Sequence, residues 1–397
     1  AFERAESLRE SADSRCVDWY YRAAQLAWLP VQREQAAGLQ AGGPAWVIYH
    51  DAVTELVDAG QETGRWSFTQ GLELHTPGGR RRIPIHYHGF PWQPAQFGAL
   101  CPVCEAIDAD GVNRIYRTEG LGVASIVRAS PQAHTRFLSN QQPFAATVVL
   151  SPSHGAVRSV PHLELNLYDP LRVSSVQVGQ QTFALTRDLT APFTVAMSRN
   201  QNAFQAFAYP GATSSNRGLI MVEPYQPGKI PVVFVHGLLS NPYTWVNVAN
   251  ELRAQPDLND RYQVWAFQYA TGEPFLKSAA MFREQLLQAI VTSDPHGHDE
   301  ALARVVLIGH SMGGLVSKLQ VTRSGEAVWR SFANRPPSQI KAAPDEIQRL
   351  ERYAFFEPSP FVTRVIYVGT PHRGSPWARR PIGRLGARLV EEPTQNE

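Results

Sequence analysis

Apolar and aromatic residues recur at helical spacing between residues 4 and 29: Leu8, Val17, Tyr20, Tyr21, Ala24 and Ala27. The pattern predicts an amphipathic helix, and Pro30, which has no N–H for the ladder, is read as its end. After Gly42-Gly43-Pro44 the same period returns from Trp46 to Val57 and predicts a second helix. Residues 1–62 are therefore expected to form a helical hairpin. One hairpin does not establish a repeat array.

From residue 63 to 223 the pattern changes to short β-prone runs between Pro and Gly. They are Ile83–His88, Val123–Arg128, Ala145–Leu150, Leu163–Tyr168, Val173–Val178 and Phe193–Met197. Such runs predict a β-rich accessory domain, a small sandwich or barrel. None has the spacing of a catalytic or metal motif. Packing, substrate delivery and partner binding remain open as its role.

Pro224-Tyr225-Gln226-Pro227-Gly228-Lys229 reads as a joint. Beyond it, over 224–397, strand-like and helix-like patterns alternate. Pro231–Val235 is wholly apolar, as expected of a strand covered on both faces. Tyr262–Tyr269 is a second strand candidate. Pro274 suits a first helical turn, and Phe275, Ala279, Phe282, Leu286 and Ile290 follow at spacings of three and four. Val305–Ile308 and Val365–Val368 are the next strands, with Leu315, Val316 and Leu319 on a helix between them. Alternation of this kind predicts an α/β fold with a parallel sheet.

Composition narrows the partners. The chain has 397 residues, 43% of them hydrophobic and 18% charged, enough for two domains with sizeable cores. Its 37 Lys+Arg against 35 Asp+Glu leave +2, which gives no reason to expect nucleic acid. Arg80-Arg81-Arg82 is read as a solvated turn. No apolar run approaches the ~20 residues of a membrane span. No signal peptide is visible, and a start at Ala1 without Met leaves targeting open.

Three cysteines are too few for a disulfide framework. Cys101 and Cys104 form Cys-Pro-Val-Cys. A zinc site would need a second ligand pair, for which His86 and His88 are the nearest candidates. A redox role would need a βαβ setting. The pair is read as small residues near a turn, and no metal or cofactor is expected.

The chemistry concentrates where Val305–Ile308 runs into Gly309-His310-Ser311-Met312-Gly313-Gly314. An apolar strand, then Gly-x-Ser-x-Gly, then a helix is the sequence form of a nucleophile elbow. The flanking Gly309 and Gly313 leave room for so sharp a turn. A serine nucleophile also needs donors for the oxyanion it creates. One is expected from the Met312 N–H. The other is expected from the loop after an earlier strand, where Val235 runs into His236-Gly237-Leu238-Leu239. Gly237 lets the backbone turn inward, Leu238 N–H is the donor, and His236 is read as holding the loop. Trp245, Trp265, Tyr269 and Phe275 are read mainly as core, with an acyl pocket as the other option.

His236-Gly237-Leu238-Leu239, Gly309–Gly314 and Gly369-Thr370-Pro371-His372-Arg373-Gly374-Ser375, in this order, resemble the lipase/esterase branch of the α/β-hydrolase superfamily, near the bacterial triacylglycerol lipases. The resemblance covers roughly residues 229–378. It implies Ser311 as nucleophile, Leu238 and Met312 as oxyanion hole, and ester hydrolysis through an acyl-enzyme without a cofactor. Together with the preceding helical hairpin and β-rich region, it implies a partial α/β-hydrolase sheet. A small-molecule or lipid ester is the expected substrate, and a bacterial envelope or secreted setting is favoured.

A triad also needs an acid and a histidine after the serine. The sequence offers Asp345 and His372 in the right order. Asp345 sits at a helix start rather than after a strand. In the lipases resembled, the segment containing His372 precedes the catalytic acid. The resemblance therefore implies that acid and base come from later strand ends and that this chain lacks them. Acyl transfer by the same nucleophile, and a non-catalytic hydrolase-like binding protein, are the alternative functions.

Overall fold

The computed structural model describes residues 1–39, 42–103, 111–130, 137–138, 143–152, 160–198, 217–331 and 333–374. Contacts divide the chain into two compact units. The first comprises Ala1–Thr135, Asn140–Arg199 and Asn250–Asn259; the second comprises Arg136–Ser139, Asn200–Ala249 and Asp260–Glu397. This division differs from the three-part reading. The helices of 1–62 share a unit with the strands that follow, and two short segments count with the unit opposite to their sequence neighbours.

The first unit begins with α1 (Phe2–Glu10), α2 (Cys16–Ala36) and α3 (Pro44–Glu62). The single helix expected over 4–29 is two, because the chain turns at Ala12, whose φ is +54°. Pro30 does not end α2, which continues to Ala36. Packing explains this: Trp28 and Val31 on either side of Pro30 are fully buried. Leu26, whose carbonyl loses its helical partner, lies on the exposed side, where water can serve it.

Five strands form the main sheet of this unit: β1 (Ile85–His88), β2 (Phe97–Pro102), β3 (Val123–Ala129), β4 (Pro143–Pro152) and β5 (Leu163–Tyr168). Their order is β1-β5-β4-β3-β2, antiparallel except for β1 beside β5. β4 is buried along its whole length. Tyrosines tie the helices to this sheet. Tyr49 OH on α3 donates to Leu150 O at 2.8 Å and accepts from Leu150 N–H at 3.0 Å. Tyr21 on α2 does the same with Leu163, at 2.8 and 3.0 Å.

Several local expectations change. Ile83–His88 is not one strand: Gly79–Ile83 pairs with Gly71–Thr76, and Pro84 separates it from β1. Arg80, Arg81 and Arg82 therefore lie on an exposed strand rather than in a turn, with Arg80 and Arg82 paired to Glu73. Only Ser175–Val178 of the run from Val173 is strand. Phe193–Met197 is helical, within Ala191–Ser198. The helix start is fixed locally by Asp188, whose Oδ1 accepts the N–H groups of Thr190 and Ala191 at 3.0 and 2.8 Å. Apolar content alone could not distinguish a short buried helix from a strand.

The second unit is built on β6 (Gly218–Met221), β7 (Ile230–Val235), β8 (Tyr262–Gln268), β9 (Val305–His310) and β10 (Val362–Val368). The order is β6-β8-β7-β9-β10; β6 is antiparallel and the other four run parallel. All six residues of β7 are buried, as its apolar run requires. The helices α4 (Phe275–Ser293), α5 (Met312–Lys318) and α6 (Pro344–Ala354) complete the alternation. The core joins Val233, Val235, Trp265, Phe267, Phe282, Leu286, Leu307 and Val316. Phe137 enters this core from the segment 136–139, and its carbonyl accepts Met221 N–H at 2.7 Å at the β6 edge.

Candidate active site

β9 ends at His310, and α5 begins at Met312. Ser311 between them has φ +50° and ψ −118°. A non-glycine residue pays about 1–3 kcal/mol for such a backbone, and it persists only where its surroundings enforce it. Here the Ser311 N–H donates to Val368 O at the end of β10, at 2.9 Å, and Ser311 O accepts Gly314 N–H at 3.1 Å.

The glycines show what the turn demands. A Cβ on Gly309 would stand 2.6 Å from Gly313 O and from Gly314 Cα. On Gly313 it would strike the carbonyl oxygens of Val235 and His236, and on Gly314 the Thr370 hydroxyl. The start of α5 is thus pressed directly against the end of β7. Gly237 meets the elbow from the other side: its Cβ would lie 3.1 Å from Ser311 Cβ and 2.9 Å from His310 Nδ1. The structure therefore brings Ser311 and the His236–Leu239 loop together. Neither Leu238 N–H nor Met312 N–H donates to another described residue.

His236 is buried and its ring stacks on Tyr269, with centroids 4.4 Å apart. Nε2 accepts the Tyr269 N–H at 3.3 Å, so the neutral ring carries its proton on Nδ1, which faces Gly237 O at 3.1 Å. Burial disfavours the charged ring and pulls its pKa down to about 4. Tyr269 OH donates to His236 O at 2.7 Å. Leu239, at φ +55°, donates its N–H to Thr271 Oγ1 at 3.3 Å.

No hydrogen bond joins Asp345 or His372 to Ser311 among the described residues. Asp345 is exposed in the first turn of α6 and has no hydrogen bond or ion pair among the described residues. His372 is exposed, its ring edge-on to Tyr367 at 4.6 Å, and its N–H donates to Thr370 O at 3.0 Å. Among the described residues Ser311 Oγ has no hydrogen-bond partner. His310 packs edge-on to Trp245 at 6.4 Å, and its Nδ1 likewise has no partner there.

Of the aromatic candidates, Trp265 and Tyr269 are core, and Trp245 is buried against Phe234, stacked at 5.1 Å. Phe275 is exposed, as are Leu238 and Leu239 beside the serine. Cys101 is a free thiol on β2; Cys104 lies outside the described residues. No group of three metal-ligating side chains occurs among the described residues. His88 instead stacks on Tyr168 at 4.4 Å and hydrogen-bonds Asn166 at 2.8 Å.

Sequence reasoning missed Thr271, Thr370 and the Val368 carbonyl, and it gave Tyr269 no part in holding the loop. Nothing local marks them, because each acts on a partner more than thirty residues away.

No curated protein matches the chain. Among solved structures it is similar to the lipase BlEst2 of Bacillus licheniformis in its mature form, at 22% identity over 45% of this chain and 58% of that one, with a TM-score of 0.26. The propeptide form of the same lipase matches at 23% identity over 41% of this chain and 28% of that one, with a TM-score of 0.24. The chain thus spans less than two thirds of either lipase chain. Residues 232–393 match the model of the alpha/beta hydrolase family. That span holds most of β7, with β8, β9 and β10, the elbow and the facing loop, and it is this part of the chain that is similar to the alpha/beta hydrolase family.

Proposed function

We propose that this hydrolase cleaves carboxylic esters, of acyl or lipid type, through an acyl-enzyme on Ser311. The observation that carries the reading is Ser311 at φ +50° on a strand-to-helix turn, with Gly237 of the facing loop so close that a Cβ on it would stand 3.1 Å from Ser311 Cβ. In this reading Ser311 Oγ attacks the ester carbonyl. The carbonyl oxygen gains negative charge between the Leu238 and Met312 N–H groups, both free to donate. The alcohol leaves, the acyl group stays on Ser311, and water releases it as the acid. The exposed Leu238, Leu239 and Phe275 suit an apolar acyl group.

Ser311 needs a proton acceptor, and none stands at its Oγ among the described residues. His372 is the only histidine after Ser311 in the sequence. The unpartnered Oγ favours a second reading, a hydrolase fold that binds esters without turning them over. Acyl transfer to another acceptor would use the same residues and differ only in product.

The test is labelling with a fluorophosphonate, read by intact mass, on wild type, Ser311→Ala and His372→Ala, with circular dichroism to check folding. A mass gain lost only in Ser311→Ala supports the nucleophile and excludes His372 as its base. A gain lost in both assigns His372 that role. A folded wild type that takes no label supports the binding reading.

A further inference from the structure

We infer that Tyr269 and Thr271, on the segment that leaves β8, are positioning residues that set the Leu238 N–H toward Ser311. The inference rests on the acyl-enzyme reading of the site. The loop is gripped at both ends. At His236, Tyr269 uses three groups: its ring stacks at 4.4 Å, its N–H donates to Nε2 and its OH donates to the carbonyl oxygen. At Leu239, the hydroxyl of buried Thr271 accepts the backbone N–H. Leu238 lies between the two grips and has its own N–H free.

The grip at Leu239 has a specific task. Leu239 sits at φ +55°, a conformation costly for a residue with a branched side chain. Its side chain is exposed and so supplies little packing to hold it there. The hydrogen bond to Thr271 is what stabilises this backbone, and turning residue 239 turns the peptide that carries the preceding residues. Without the acceptor, Leu239 relaxes toward ordinary φ and the Leu238 N–H swings away from its direction. His236 cannot compensate, since its ring is already committed to Tyr269 and to Gly237 O.

An oxyanion donor acts on charge that develops in the transition state, so its misplacement lowers kcat and leaves KM nearly unchanged. The test uses the full chain with p-nitrophenyl butyrate, comparing wild type, T271V and T271S. Valine keeps the shape and loses the acceptor; serine keeps the acceptor. The expected result is a kcat about tenfold or more lower in T271V, with KM within about twofold, and recovery of the rate in T271S. Amide hydrogen exchange at Leu239 is measured on the same three proteins, with protection expected in wild type and T271S and lost in T271V.

Equal Leu239 exchange and equal kcat in all three overturn the inference. Exchange lost in T271V with kcat unchanged overturns it too, because the bond then does not position the donor. If the wild type shows no Ser311-dependent turnover, the esterase reading has failed. The exchange data then decide the grip alone: loss of protection in T271V upholds it, and unchanged protection overturns it.

Discussion

The Ser311 N–H donates to the carbonyl oxygen of Val368 at 2.9 Å. This one bond ties the strained turn to the end of the neighbouring parallel strand, so the sheet itself holds Ser311 at positive φ. The tightness of the turn is then set by glycines, and that makes its tolerance to substitution measurable.

Gly313→Ala is expected to destabilise the second unit. The added methyl meets the carbonyl oxygens of Val235 and His236, which are backbone atoms of a fully buried strand end and its loop. Overpacking of this kind costs about 1–3 kcal/mol. Urea unfolding followed by circular dichroism measures it, and an unchanged midpoint would show that the strand end gives way without strain.

His236 makes stability depend on pH. Its pKa is about 4 in the fold against 6.5 for the unfolded side chain. Between these values the unfolded chain binds the proton and the folded chain does not, so stability is full above pH 6.5 and is lost as pH falls toward 4. A shift of this size corresponds to about 3 kcal/mol. Denaturant midpoints at pH 7 and pH 4.5, compared with those of His236→Gln, isolate the effect: the wild type should lose more stability than the variant over that interval.

Tyr49→Phe removes the hydroxyl that serves both backbone groups of Leu150. Both would be left buried and unpaired, at a cost of about 1–3 kcal/mol. The same substitution at an exposed tyrosine would cost almost nothing, so a neutral outcome would mean that water replaces the hydroxyl. Thermal unfolding decides between the two.

Phe282 is fully buried in α4, its ring stacked on Phe267 at 4.5 Å. Phe282→Ala should cost about 3–5 kcal/mol, through lost transfer energy and the cavity left behind. A loss below about 1 kcal/mol by chemical denaturation would place this side chain outside the core that supports the elbow.

The elbow was legible because its geometry is written in glycine: Gly309, Gly313 and Gly314 stand where any Cβ would collide. The strands of the second unit were legible from apolar runs, Ile230–Val235 being buried on both faces. Other features were decided by distant contacts. Pro30 sits inside α2 because Trp28 and Val31 pack there, which local propensity cannot show. Phe193–Met197 reads as a strand until the Asp188 cap is seen. Thr271 carries no motif at all; its role rests on the backbone angle of Leu239, thirty-two positions earlier. The group that would take a proton from Ser311 carries no comparable signal: Asp345 and His372 follow the serine in the right order, the resemblance points to later strand ends, and no hydrogen bond joins either residue to Ser311 among the described residues.

The most direct test of the account is the fluorophosphonate mass shift on the folded full chain, with Ser311→Ala beside it. The account predicts one adduct per chain, located on Ser311 by peptide mapping and absent from the alanine variant. A folded wild type that takes no adduct, or takes it equally in Ser311→Ala, would contradict Ser311 as an activated nucleophile.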